Sequence, residues 1–252
     1  MITFKFGMRS FLTIFVLLSS NLASASEQPW TFNLEGGGVW QSRNDVRIPN
    51  DEGTRFSIDA LTETGPFPYY RLEAFYNLGD TRQLRFLVAP LRFTESGRLD
   101  EDLVFVDETF NAGQAADFTY QFNSYRLSYR VLFKDTDDWR LWLGGTLKVR
   151  DAEIALQQGQ VKASDSNVGV VPLFNLYSDY QLNPEWRLTV DFDGLVGPQG
   201  RAVDLGVNLL RDLDKHWSVG LGYRTLEGGA DNDEVYNFAW LNYAFISLSY
   251  RP

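Results

Sequence analysis

The sequence has 252 residues, with 33 acidic and 23 basic side chains, a formal net charge of −10 and no cysteine. The acidic balance argues against a nucleic-acid partner, because binding to a phosphate backbone requires a basic face. The lack of cysteine excludes disulfides, thiolate metal ligands and a cysteine nucleophile. The mean hydropathy of −0.25 is too low for a helical membrane protein, although 15% of the residues are aromatic.

The first 25 residues have the pattern of a cleaved export signal. Lys5 and Arg9 precede the apolar run 11–18, and Ala23-Ser24-Ala25 follows it. A charged start, a short apolar run and an A-x-A site are typical of a secretory signal peptide. The apolar run is too short to span a bilayer as a helix, which disfavours the alternative of an uncleaved anchor. We predict cleavage after Ala25 and a single β-barrel domain over residues 26–252.

The rest of the chain reads as β-strands, because segments of alternating apolar and polar residues are separated by polar turns. Ten strands are expected, at 30–41, 68–78, 82–94, 118–133, 138–150, 167–182, 186–196, 201–213, 216–226 and 234–250. Many of them approach or exceed the roughly 9–11 residues that a tilted strand needs to cross a bilayer. Residues 153–158 are the one stretch that also fits a short helix.

The connections between these strands differ in length. Short turns lie at 78–81, 134–137, 183–185 and 212–215, whereas the expected loops at 42–67, 95–117 and 151–166 are long. Two of the connections opposite the short turns, at 197–200 and 227–233, are shorter than these loops. Short turns at one end of the molecule and long loops at the other are typical of barrels that cross a membrane.

Three tryptophans, Trp139, Trp186 and Trp217, each follow a short polar turn as a strand begins. Each tryptophan is the first residue on the apolar face of its strand. After Trp186, for example, this face continues with Leu188 and Val190. Tryptophan and tyrosine favour the boundary between membrane and water. Three tryptophans in register therefore predict a girdle of interfacial aromatic residues, to which Tyr250 in the last strand is added. A buried core position is the alternative for each tryptophan taken alone.

The opposite faces of the strands carry many full charges, Arg85 among them. An interior that holds charges of both signs can pair them, so these faces predict a polar lumen that is largely closed by its own side chains. The predicted lumen charge network contains Arg71, Glu73, Arg126, Arg130, Arg140, Arg187, Asp191, Asp193, Asp204 and Arg224.

Taken together, the export signal, the alternating strands, the unequal loops and the aromatic positions resemble a small outer-membrane β-barrel protein of a Gram-negative bacterium. The last strand, "YNFAWLNYAFISLSYRP", resembles the C-terminal strand by which such barrels are recognised for insertion, although Arg251 and Pro252 follow the final aromatic residue. The resemblance implies an all-β, up-and-down antiparallel transmembrane barrel. With both ends of the chain in the periplasm the strand number is even.

About ten strands are expected, with eight and twelve as alternatives. Twelve would require that residues 103–110 also cross, and residues 55–61 are placed within the first long loop. The resemblance further implies a location in the outer membrane and a monomeric state. The implied partners are outer-membrane lipid, lipopolysaccharide and the outer-membrane assembly machinery.

The residues predict no catalytic, cofactor or metal site. The enzymatic barrels, such as the omptin proteases and the outer-membrane phospholipases, use a histidine as proton carrier. The one histidine of this chain, His216, falls in a short turn. We therefore expect a non-enzymatic protein with a structural or adhesion-like role or a porin-like, limited passage of small solutes. An envelope enzyme acting on lipid or peptide at the outer surface is one alternative. A soluble periplasmic barrel that binds an apolar ligand is the other.

Overall fold

The computed structural model of the protein describes residues 29–197 and 200–252, so the predicted export signal and its cleavage site after Ala25 lie outside the described residues. No helix in this part of the chain is long and apolar enough to cross a membrane. The described elements are β1 (Trp30–Arg47), β2 (Phe56–Ser57), α1 (Ile58–Leu61), β3 (Phe67–Asn77), β4 (Arg82–Ala89), β5 (Arg92–Arg98), β6 (Leu103–Phe105), β7 (Glu108–Phe110), β8 (Ala115–Asp135), β9 (Trp139–Gln158), β10 (Val161–Asn183), β11 (Trp186–Gly197), β12 (Gly200–Asp212), β13 (Trp217–Asp231) and β14 (Tyr236–Tyr250).

One closed antiparallel barrel of ten wall strands contains most of these elements. Pairing runs from β1 through β3 and β4 to β8 and then in chain order to β14, which pairs back with β1. β4 and β5 form one wall strand, because both pair with β8 on either side of a break at Pro90. The predicted up-and-down barrel of ten strands is thus confirmed. The twelve-strand alternative is wrong, because residues 103–110 form the separate hairpin β6–β7.

Several wall strands extend past their predicted bounds at the end that carries the long loops. β9 and β10 stay paired up to a two-residue turn at Gly159, whose φ is +60°. The expected loop over 151–166 and the possible helix over 153–158 are therefore both strand. The physical reason is that Ile154 and Leu156 point inward and are buried, which continues the period-two pattern.

In the middle part of the barrel, the outer face of the wall is apolar and the inner face is charged. In β11, Val190 faces outward, whereas Arg187 and Asp193 face inward and are buried. Large exposed apolar residues form an outer band, for example Leu34, Leu72, Phe86, Leu127, Leu147, Leu221 and Ile246. This orientation suits a wall that faces lipid. It is the reverse of the orientation expected for a soluble barrel with an apolar interior and a charged exterior.

The barrel interior has three zones along its axis. At the short-turn end is an open vestibule of about 1330 Å³. Next comes a layer of buried charged side chains, which we call the charged layer. At the long-loop end lies a cluster of buried apolar side chains, which we call the cap core and which includes Val39, Val46, Ile58, Phe67, Phe93, Leu103, Phe105, Phe110, Phe118, Leu156 and Leu241.

The cap core forms because the long connections fold back over and into the barrel. Ile58 of α1 and Phe105 and Phe110 of the β6–β7 hairpin are fully buried there. The rings of Phe67 and Phe93 stack with centroids 4.1 Å apart. The prediction of a polar lumen is therefore wrong for this half of the barrel. Inward positions of the wall strands meet apolar loop side chains there instead of water or charge.

Candidate functional site

The charged layer brings together side chains from eight wall strands, each placed inward by strand alternation. It holds six cations, Arg71, Arg85, Arg126, Arg130, Lys148 and Arg224, and five carboxylates, Glu35, Glu73, Asp191, Asp193 and Asp204. All but Asp191 are buried, and the Asp191 side chain is only 13% exposed. Charges buried in this way are costly unless they are paired or hydrogen-bonded.

Asp193 is the most heavily bonded carboxylate of the layer. It accepts hydrogen bonds from Arg85 and, at 2.7 Å, from Arg126 Nη1. Thr146 Oγ1 donates to it at 2.7 Å and Asn175 Nδ2 at 2.9 Å. These donors lie on β4, β8, β9 and β10, so a single carboxylate on β11 ties five wall strands together across the lumen.

Asp204 is a second carboxylate to which several arginines donate. Arg126 Nη2 donates to it at 2.6 Å, Arg224 Nη1 at 2.7 Å and Arg71 Nη1 at 3.2 Å. Arg126 thus bridges Asp193 and Asp204. The network continues to β1, since Arg224 Nη2 lies 3.1 Å from Glu35 Oε1. It links β1, β3, β8, β11, β12 and β13 across the lumen at this depth.

Arg71, Arg85 and Asp191 complete the paired part of the layer. Arg71 Nε donates to Glu73 Oε1 at 3.3 Å, and Arg85 Nη1 lies 2.5 Å from Asp191 Oδ2. Because Arg85 contacts both Asp191 and Asp193, its loss would remove the shortest ion pair of Asp191 and one of the two ion pairs of Asp193.

Two cations of the layer contact aromatic rings instead of carboxylates. The guanidinium of Arg130 lies 5.3 Å from the Phe75 ring centroid and 4.6 Å from that of Tyr177. Its three nitrogen atoms have no hydrogen-bond partner within the described chain. Lys148 Nζ lies 4.5 Å from the Phe122 ring. Cation–π contacts of this kind replace part of the lost hydration.

Two residues of the predicted network lie apart from the charged layer. Arg187 borders the vestibule and pairs with Asp179 at 2.8 Å and Asp212 at 3.0 Å. Arg140 lies at the vestibule mouth with its side chain 66% exposed, 3.5 Å from Asp135. Both lie on the inward side of their strands, but they are too near the short turns to reach the layer.

Three members of the layer are absent from the predicted network. Arg85 and Lys148 share the period-two faces of predicted members, and this alternation is the signal that finds them. Glu35 precedes three glycines in β1. Because glycines have no side chain, the sequence there does not show which alternate positions of the strand face inward, and the direction of Glu35 could not be assigned.

The four predicted interfacial aromatics lie together at the short-turn end of the barrel. Trp139, Trp186 and Trp217 are the first residues of β9, β11 and β13, and Tyr250 is the last residue of β14. The rings of Trp217 and Tyr250 are 4.5 Å apart. All four face outward and are half-buried or exposed.

His216 lies in the turn before β13, where its Nδ1 is 2.7 Å from the Arg251 carbonyl oxygen. It borders the vestibule mouth, at the end of the barrel opposite the long loops. Within residues 29–197 and 200–252, no group of three or more histidine, aspartate or glutamate side chains is placed to hold a metal ion.

The architecture matches solved structures of outer-membrane barrels. The outer membrane protease OmpT from Escherichia coli superposes with a TM-score of 0.55 at 10% identity, over 91% of this chain and 99% of that one. The chain has the fold of an outer-membrane β-barrel. Looser similarities are the translocator domain of the autotransporter NalP from Neisseria meningitidis (TM-score 0.42, 12% identity, 90% of each chain) and the outer membrane protein AlkL (0.40, 8%, 93% and 97%). No protein-family model matches the sequence, and no curated protein matches it significantly.

Proposed function

We propose that this chain is a non-enzymatic outer-membrane protein of a Gram-negative bacterium with a structural or adhesion-like role. The observation that carries the proposal is the filled lumen, in which the charged layer and the cap core follow one another along the barrel axis. A barrel filled in this way holds its wall together and presents a folded end, and we expect it to leave no continuous aqueous path for solutes.

The ends of the barrel support one orientation. The predicted export signal delivers the chain to the periplasm, and barrels of this kind keep their short turns on that side. Trp139, Trp186, Trp217 and Tyr250 then form an aromatic girdle at the periplasmic boundary of the membrane. The capped long-loop end faces outward, where it meets lipopolysaccharide and the surroundings of the cell. The barrel reaches this state as a monomer through the outer-membrane assembly machinery.

Cell fractionation tests the location. We expect the full chain, expressed in a Gram-negative host, in the outer-membrane fraction with heat-modifiable migration on gels. Mass spectrometry of the mature protein should give an N-terminus at Ser26. Recovery from the soluble periplasm with no heat-modifiable band would overturn the proposal.

Conductance in planar bilayers tests the closed lumen. The purified barrel should give no channel events under conditions in which a general porin conducts. Regular channel events from the unmodified protein would favour the second candidate, limited passage of small solutes. The observation that favours this candidate is the vestibule of about 1330 Å³, which reaches from the short turns to the charged layer.

An enzymatic role has less support from the residues. The similarity to OmpT concerns the fold alone, and His216 lies at the short-turn end, away from the long-loop rim. Hydrolysis of lipid A or of a peptide by the purified protein, lost on changing Asp191 or Asp193, would overturn the non-enzymatic part of the proposal.

A further inference from the structure

A small second cavity lies where the charged layer meets the cap core, beside the break in the wall at Pro90. Its volume is about 20 Å³, enough for one water-sized or monatomic group. The charged layer lines it with Arg71, Arg126 and Arg224, and the cap core with Tyr69 and Tyr243. Three arginines and no carboxylate therefore surround this space.

Three residues that line the cavity each carry a polar atom with no hydrogen-bond partner in the described protein: Tyr69 Oη, Arg71 Nη2 and Arg224 Nε. Their residues are 9%, 2% and 3% exposed. Arg71 Nη2 lies 3.7 Å from Asp191 Oδ2, which is beyond hydrogen-bond length. A buried donor without an acceptor is costly, so three donors around one space point to a ligand that accepts hydrogen bonds.

The charge of the layer indicates which acceptor fits. Six cations face five carboxylates, so the layer carries a formal charge of +1. A water molecule would bring two further O–H donors, for which the lining offers the hydroxyl oxygens of Tyr69, Ser124 and Tyr243, whereas an anion accepts from the three donors and adds none. The guanidinium groups can only donate, and the tyrosine hydroxyl can donate as well. An anion would therefore satisfy the three free donors and balance the layer.

We propose that this cavity is a binding site for a monatomic anion of the halide class, with chloride as its ligand in the cell. Tyr69, Arg71 and Arg224 donate to the ion, and Arg126 contributes positive charge. Tyr70, Ala89 and Pro90, at the break in the wall, also line the cavity.

Crystals of the full mature barrel grown in sodium bromide locate the site directly. We expect one anomalous bromide peak in the cavity between Arg71 and Arg224. Density for water in that cavity, with no anomalous signal, would overturn the proposal.

Stability in solution tests binding at moderate anion concentration. At constant ionic strength, the urea midpoint of the barrel should rise saturably when chloride replaces gluconate, which is too large for the cavity. Tyr69→Phe should raise the apparent Kd for chloride about tenfold, because it removes one hydrogen bond to a charged group.

Tyr120→Phe is the matched control, since Tyr120 is a buried tyrosine of the cap core that does not line the cavity. It should keep the wild-type response to chloride. An unmodified protein that shows no chloride-dependent midpoint would contradict the proposal, as would equal responses of the wild type and Tyr69→Phe. If Tyr69→Phe fails to assemble, the bromide crystal of the wild type decides.

Discussion

The guanidinium of Arg130 lies against the ring of Tyr177, 4.6 Å from its centroid, and donates no hydrogen bond to any described residue. Arg85, on the neighbouring wall strand, is also fully buried but contacts both Asp191 and Asp193. Two arginines in one layer therefore differ in what their removal leaves behind. Removal of Arg85 takes one ion pair from each of two carboxylates, and removal of Arg130 leaves two aromatic rings.

This difference predicts opposite outcomes for the same substitution. Arg85→Met should destabilise the folded barrel by about 3–5 kcal/mol, because it removes the nearest cation of Asp191 and one of the two cations that contact buried Asp193. Arg130→Met should change stability by less than about 1.5 kcal/mol, since methionine packs well against aromatic rings. Urea midpoints of folding in lipid vesicles measure both variants. A loss for Arg130→Met as large as that for Arg85→Met would show that Arg130 has an acceptor.

Val190 and Asp191 are adjacent in β11 and face opposite sides of the wall. Val190→Arg places a charge in the lipid-facing band and should cost about 2–4 kcal/mol near the bilayer centre. It should block assembly in cells. Asp191→Asn keeps an acceptor for Arg85 and should assemble. The amounts of heat-modifiable barrel in outer-membrane fractions compare the two variants, and the reverse ranking would mean that the assigned faces are exchanged.

Phe105 is fully buried in the cap core, where its ring lies 6.0 Å from that of Phe56. Phe105→Ala should destabilise the cap locally by about 3–5 kcal/mol, because it leaves a cavity. Protease added to intact cells should then cut the β6–β7 hairpin faster, while the gel shift of the barrel persists. Val104→Ala, a half-buried neighbour on the same hairpin, is the control and should remain protected. Loss of the gel shift in Phe105→Ala would show that the cap and the wall unfold together.

Trp139 and Trp142 lie in the same strand but face opposite sides of the wall. Trp139 faces outward at the short-turn end, and Trp142 faces the vestibule with 7% exposure. In variants that keep a single tryptophan, lipids brominated near the headgroup should quench Trp139, Trp186 and Trp217 most strongly. Trp142 should be little affected. Strongest quenching of the three outward tryptophans by lipids brominated near the chain ends would place them at the bilayer centre and would contradict the girdle.

The wall of the barrel was accessible from the sequence because its signal is local. Alternation in segments such as the one from Trp186 to Asp193 assigns each residue to one face, and polar turns such as Asn183–Glu185 separate the strands. The inward direction of Arg126 and Asp204 follows from the same period of two. Which of these charges meet does not follow, because it depends on the tilt and stagger of strands far apart in the chain. Arg140 and Arg187 accordingly lie in the vestibule and outside the charged layer.

The cap core was not accessible in this way. Ile58 lies in the alternating segment 55–61 and Phe105 and Phe110 in the possible strand 103–110, but nothing in their spacing shows that these segments fold back into the barrel. The wall strands carried a weak sign of it, since Ile154 and Leu156 place apolar side chains on the face that holds Lys148 lower in the barrel. When the inward face of one strand changes from charged to apolar residues along its length, the barrel interior next to it is expected to change from charged to apolar side chains.

Closure of the wall through β1 and β14 leaves both ends of the described chain at the short-turn side, with Phe32 opposite Tyr250. The order of the strands along the chain can therefore be changed without changing which strands are neighbours in the barrel. Joining the two ends by a short linker and opening the tight turn at Gly159 would give a circular permutant with the same neighbours throughout. In that molecule, "FISLSY" would become an internal segment. Comparing its assembly with that of the natural order would separate the role of the last strand as a recognition sequence from its role as a wall strand.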